Sequence, residues 1–167
     1  MNFQKFNLDP VTTFALLACF MLIGGCSVEP VGTSPSDNTT TPSLKQIQYC
    51  RDVMYINPEL DLQPLGYYYT NGDQGESIYL KFIVNTADVG DIFFQLEPVS
   101  FRELKALESV KVLGHINEKW WDPAEQSLIG ADFVVPPPGS NGSRDLNIGI
   151  SDNGNGTFTV YVHWFEI

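Results

Sequence analysis

The chain has 167 residues, with 9 Lys plus Arg against 20 Asp plus Glu and a formal net charge of −11 at pH 7. So acidic a chain offers no basic patch, which excludes nucleic acid and anionic lipid headgroups as charge-driven partners. Hydrophobic residues make up 43%, enough for a real core in one domain of ordinary size.

Residues 1–13 are mildly polar and carry Lys5 and Asp9. Phe14 to Ile23 is an unbroken apolar run of ten residues. That is short of the roughly 20 needed to span a bilayer core, and it suits the hydrophobic region of a secretory signal. Gly24 and Gly25 follow, small enough to admit a peptidase just before Cys26.

The segment Ile23-Gly24-Gly25-Cys26 resembles the lipobox of bacterial lipoproteins. The resemblance covers residues 1–26 and implies a diacylglyceryl group on the Cys26 thiol, cleavage before Cys26, and further acylation by chains such as palmitate. Acyl chains bury methylenes additively, so two or three hold where one does not. Loss of residues 1–25 removes one Lys and one Asp, which leaves the charge at −11. By the same resemblance, Ser27 after the cysteine, with no Asp there, implies the periplasmic side of the outer membrane in a Gram-negative cell. In a cell without an outer membrane, the anchor implies the exterior of the cell membrane.

Ser27 to Ser43 is rich in Ser, Thr and Pro, with almost no large apolar residue. Such a stretch cannot bury enough surface to fold and reads as a semi-extended tether. The organisation expected is a signal peptide over 1–25, a disordered tether over 26–43 and one globular domain over 44–167. Of the three cysteines, Cys19 leaves with the signal, Cys26 carries lipid, and Cys50 has no partner within the chain. It is either a buried small hydrophobe, the favoured reading, or cross-linked between molecules.

Leu44, Ile47 and Val53 fit a short helix, which Pro58 and Pro64 limit. Gly66 to Thr70 reads as a strand, Asn71 to Gly75 as a turn, and Ser77 to Val84 as a strand with Ile78, Leu80, Phe82 and Val84 on one face. The period then changes. Val89, Ile92, Phe93 and Leu96 recur at helical spacing after Thr86, which would cap them. Ser100 to Glu103 matches a capping box for a second helix ending near Ser109. Val110 to Ile116 reads as a strand, Trp120 to Pro123 as a turn, and Asp132 to Val135 as extended chain before Pro136-Pro137-Pro138. Asp145 to Ile150 and Thr157 to Ile167 alternate around a Gly-rich turn and form a hairpin, with Phe158, Val160, Val162 and Trp164 inward. The fold class expected is α+β: a mostly antiparallel sheet with two hairpins and two short helices packed on one face.

Few residues point to chemistry. Asp152 to Thr157 gathers oxygens but has one carboxylate and lacks the alternating ligands of a calcium loop, so it reads as a hairpin turn. His115 and His163 have no second ligand at metal spacing. There is no Gly-x-Ser-x-Gly and no phosphate cradle. A carboxylate pair for glycoside hydrolysis cannot be picked from the 19 acids left once Asp9 is gone. Asn141-Gly142-Ser143 fits a glycosylation sequon by pattern, which carries little meaning in a bacterial lipoprotein. The aromatic runs Tyr67-Tyr68-Tyr69 and Trp120-Trp121 alternate between faces, so one ring of each adjacent pair falls to the core and the other to the surface.

The leading expectation is therefore a non-catalytic lipoprotein, held at the membrane by its N-terminal lipid, whose acidic domain binds a basic envelope protein. Its sharper form is an inhibitor or immunity-type protein against a basic cell-wall hydrolase, captured with electrostatic steering. The alternative is a carbohydrate- or peptidoglycan-binding module that offers Trp120, Trp121, Tyr67 and Tyr69 to a sugar ring. A small hydrolase ranks last. No cofactor, metal or nucleic acid is expected.

Overall fold

Six strands form a single antiparallel sheet in the order β1-β2-β6-β5-β4-β3. The computed structural model describes residues 38–72, 75–98, 100–135 and 143–166. The lipobox with Cys26, the tether up to residue 37, Asp73-Gln74, Pro136 to Gly142 and Ile167 lie outside them. Among the described residues, no helix is long and apolar enough to cross a membrane.

The elements are α1 (Leu44–Met54), β1 (Gln63–Gly72), β2 (Gly75–Val84), α2 (Val89–Ile92), β3 (Ser100–Leu104) and α3 (Ala106–Leu113). A 3-10 turn (Pro123–Glu125), β4 (Leu128–Val135), β5 (Arg144–Asp152) and β6 (Phe158–Glu166) complete them. The α+β class and both hairpins, β1–β2 and β5–β6, are as the alternation dictates. Thr39 pairs with Tyr67 along the outer edge of β1, so ordered packing begins upstream of Leu44.

Helix α1 opens on a reciprocal cap. Ser43 Oγ accepts from the Gln46 N–H at 3.3 Å, and Gln46 Oε1 accepts from the Ser43 N–H at 2.8 Å. It ends at Tyr55, which is left-handed at φ 56°. Ile47, Cys50 and Met54 turn inward, while Leu44 stands in solvent. Cys50 is fully buried as a free thiol, and burial pushes its pKa up.

Three expected elements differ. The helix expected from Thr86 to Leu96 shrinks to the four residues of α2. Its cap is Asp88, which accepts from the Gly90 N–H at 2.8 Å. Val89, Ile92 and Phe93 are buried as their spacing requires, but Phe93 leaves the helix to bridge Ile56. Ser100 to Leu104 is a strand, because five residues of ladder with β4 outweigh the capping pattern. The helix starts later, where the Lys105 N–H donates to Glu108 Oε2 at 3.1 Å. Val110 to Leu113 then belongs to α3, not to a strand.

The helices also divide between the faces. Residues of α1 and α2 pack with Ile78, Leu80, Phe82, Ile148, Val160, Val162 and Trp164 in the larger core. Helix α3 and the chain after it cover the opposite face, where Leu113, Ile116 and Trp121 pack with Tyr79, Leu104, Leu128 and Tyr161. The second layer exists because alternate residues of β2 and β6, namely Tyr79, Lys81, Tyr161 and His163, are too large or polar to be left bare.

Candidate functional site

The four aromatics singled out from sequence do not form one surface. Tyr67 is 0% exposed and Trp121 6%. Trp121 is held edge-on by Tyr79 and Tyr161, with centroids 5.2 and 5.5 Å away, and its Nε1–H donates to the Gly114 carbonyl at 3.3 Å. Trp120 is half-buried, its indole lying on Gly66 so closely that a Cβ there would come within 2.3 Å of the ring. Tyr69 is half-buried on the other face, where its hydroxyl donates to Glu76 at 3.1 Å. Only Trp120 and Tyr69 retain exposed area, on opposite sides of the sheet.

Beneath Trp120 lies a polar cluster the sequence did not announce. Lys81, with an 11% exposed side chain, donates to Asp122 and to the Trp120 carbonyl at 3.0 Å. Its ammonium lies 4.8 Å from the centroid of the Tyr161 ring. The Tyr161 hydroxyl donates to the same Asp122 oxygen at 2.8 Å. Burial first, then the hydrogen bond and negative charge of Asp122, push the Tyr161 pKa up. The cluster fastens the 120–125 segment to the sheet. Beside it, Glu118, Asp122 and Glu125 border a shallow hollow of about 240 Å³. Among the described residues, no group of three or more His, Cys, Asp or Glu is disposed to hold a metal.

His163 sits on this inner face too. It stacks between Tyr79 and Phe165, with centroids at 4.2 and 4.9 Å. Among the described residues neither ring nitrogen has a partner in good hydrogen-bond geometry, the Val112 carbonyl being the backbone group near it. Burial pushes its pKa down to about 4, and the nearby Val112 carbonyl opposes this only in part. The ring is therefore neutral at pH 7.

The Asp152 to Thr157 segment closes the β5–β6 hairpin with its own donors. Asp152 accepts from the Gly154 N–H at 2.7 Å, and Asn155 accepts from the Thr157 N–H at 3.0 Å. These side chains build the turn.

The most distinctive surface residue is Phe94, 51% exposed. Its N–H donates to the Tyr55 carbonyl at 2.7 Å, and the next residue, Gln95, is left-handed at φ 62°. The two stretches that meet here, 55–61 and 88–97, are tied by Asn57, whose side chain donates to the Asp91 carbonyl at 3.0 Å. They carry Glu59, Asp61, Asp88, Asp91 and Glu97, all exposed, and no basic residue. Nearby Arg51 is spent inward, donating to the Asn57 and Leu60 carbonyls. The aromatic runs weighed in the sequence, at 67–69 and 120–121, did not include Phe94, which lies in the stretch read as a helix with Phe93 on its buried face.

No protein-family model, curated protein or solved structure matches the chain.

Proposed function

We propose that the chain is a non-catalytic lipoprotein, anchored through Cys26 to an envelope membrane, whose acidic domain captures a basic protein, with a cationic cell-wall hydrolase as the partner of choice. The observation that carries the binding reading is Phe94: a half-exposed aromatic ring whose backbone is hydrogen-bonded to Tyr55, in two joined stretches that carry five exposed carboxylates and no basic residue. An ordered aromatic anchor loses little entropy on binding, and a rim of one charge sign steers an opposite partner. The anchor reading rests on Ile23-Gly24-Gly25-Cys26. A sugar platform has less to stand on, since Tyr67 and Trp121 have no free ring face.

The test joins both halves. Cells fed a clickable fatty acid are expected to label the full chain and not Cys26→Ala; an unlabelled full chain overturns the anchor. Purified cationic cell-wall hydrolases are expected to bind the full chain more weakly as salt rises, and about tenfold more weakly when Phe94→Ala is made. Binding by none of them, or binding indifferent to both changes, overturns the partner class.

A further inference from the structure

Among the described residues, the outer ends of β4, β5 and β6 on the inner face border a hollow. Register places Val134, Asp145 and Phe165 directly opposite one another across these three strands. The adjacent cross-strand row on this face is Asp132, Asn147 and His163. His163 disappears under the aromatic stack, while Asp132 and Asn147 floor a hollow of about 360 Å³. Its walls are the last turn of α3, through Lys111 and Val112, and β3, through Arg102. The α3 wall is fixed, because the Asn147 side chain donates to the Val112 carbonyl at 2.7 Å. The volume lies at the small end of ligand-binding pockets, which run from about 300 Å³ upward.

The charges around this hollow are unusual for so acidic a chain. Arg102 is answered by Asp132 at 3.1 Å, and Asp132 also accepts from the Ser100 hydroxyl at 3.1 Å. Lys111 and Asp145 line the same hollow, yet neither makes an ion pair among the described residues, with each other or with anything else. Val134, which is 64% exposed, and Phe165 flank Asp145 on the neighbouring strands and line the same hollow. A cation and an anion without partners, in one hollow with two apolar side chains, are the complement of a small zwitterion with an apolar side chain.

We propose that this hollow binds a free amino acid or short peptide, its carboxylate at Lys111, its ammonium at Asp145 and its side chain on Val134 and Phe165. The site is separate from Phe94 and holds whether or not the protein-capture reading does. Arg102 sets the register of the carboxylate without giving up Asp132, since a guanidinium has donors enough for both.

The experiment is calorimetric titration of the full chain with the dipeptide alanyl-leucine and with leucine. Leucinamide, which lacks the carboxylate, and 4-methylpentanoate, which lacks the amine, serve as controls. Saturable binding of the zwitterions is expected, weakened about tenfold in Lys111→Ala and in Asp145→Ala, as the loss of one charged hydrogen bond requires. Both positions are at the surface, so the variants keep the fold, which circular dichroism checks. No saturable heat up to about 10 mM overturns the proposal. So does binding of either control equal to that of leucine, or binding unchanged in both variants.

Discussion

His163 lies flat on Tyr79, their rings 9° from parallel, and the two residues are directly opposed in the β2–β6 ladder. The stack keeps the imidazole dry on one face, and Phe165 covers the other. The unfolded chain holds a proton on this histidine below about pH 6.5, whereas the folded chain does so only below about 4. Its neutral form therefore contributes stability in full above about 6.5, and that contribution is lost as pH falls toward 4. The loss is at most about 3 kcal/mol. Urea midpoints measured at pH 7, 5.5 and 4 are expected to fall more steeply for the native chain than for His163→Phe, which keeps a ring in the stack and has no proton to take. Parallel pH profiles for the two chains would show that His163 does not drive the acid loss.

The Lys81–Asp122 pair makes a second prediction. Removing one partner leaves the other poorly solvated, so Lys81→Met and Asp122→Asn are each expected to cost about 2–4 kcal/mol. The Lys81→Met/Asp122→Asn double variant is expected to cost less than the two singles summed, because no charge is left stranded and the Tyr161 hydroxyl keeps an acceptor. A double-mutant cycle by chemical denaturation measures this directly.

Cys50 is expected to ignore a soluble thiol reagent in the native chain and to react at once in denaturant, since burial both hides it and disfavours the thiolate. Non-reducing electrophoresis should show no dimer through it. Rapid native labelling would contradict its place on the buried face of α1.

Two glycines with similar backbone separate strain from crowding. Gly114 and Gly154 have φ of 73° and 74°. A Cβ on Gly154 meets nothing, whereas one on Gly114 comes within 2.9 Å of the Tyr79 hydroxyl and 3.2 Å of His163. Gly154→Ala is expected to cost about 1 kcal/mol, the left-handed penalty alone. Gly114→Ala should cost about 2–3 kcal/mol and disturb the His163 stack. Thermal melts of the two variants give the comparison.

Much of the sheet was legible because its strands alternate. Ile78, Leu80, Phe82 and Val84 in β2, and Val160, Val162 and Trp164 in β6, name the core face outright. Legibility failed where backbone pairing, not side-chain period, decides the element. Ser100 to Glu103 carries a capping pattern, but the β4 ladder claims that backbone. Phe93 fits a helix until Ile56 takes its backbone. The second layer stayed hidden for another reason. Lys81 and His163 read as solvent-facing positions, and only the long reach from Asp122, Val112 and Phe165 makes them interior. Phe94 was overlooked inside a stretch read as helix, and Lys111 and Asp145 stand 34 positions apart, brought together by the turn after α3 and by β4.

The position of β6 between β2 and β5 has a consequence for how the domain comes into being. The β1–β2 hairpin and the β3–β4–β5 meander touch each other through no ladder of their own; each hydrogen-bonds along a different side of this one segment. Without Phe158 to Glu166 the two halves share no ladder, and side-chain contacts such as Lys81–Asp122 and Tyr79–Trp121 are what connect them. A chain cut before Phe158 would therefore leave β2 and β5 as two bare sheet edges, each free to pair with another strand.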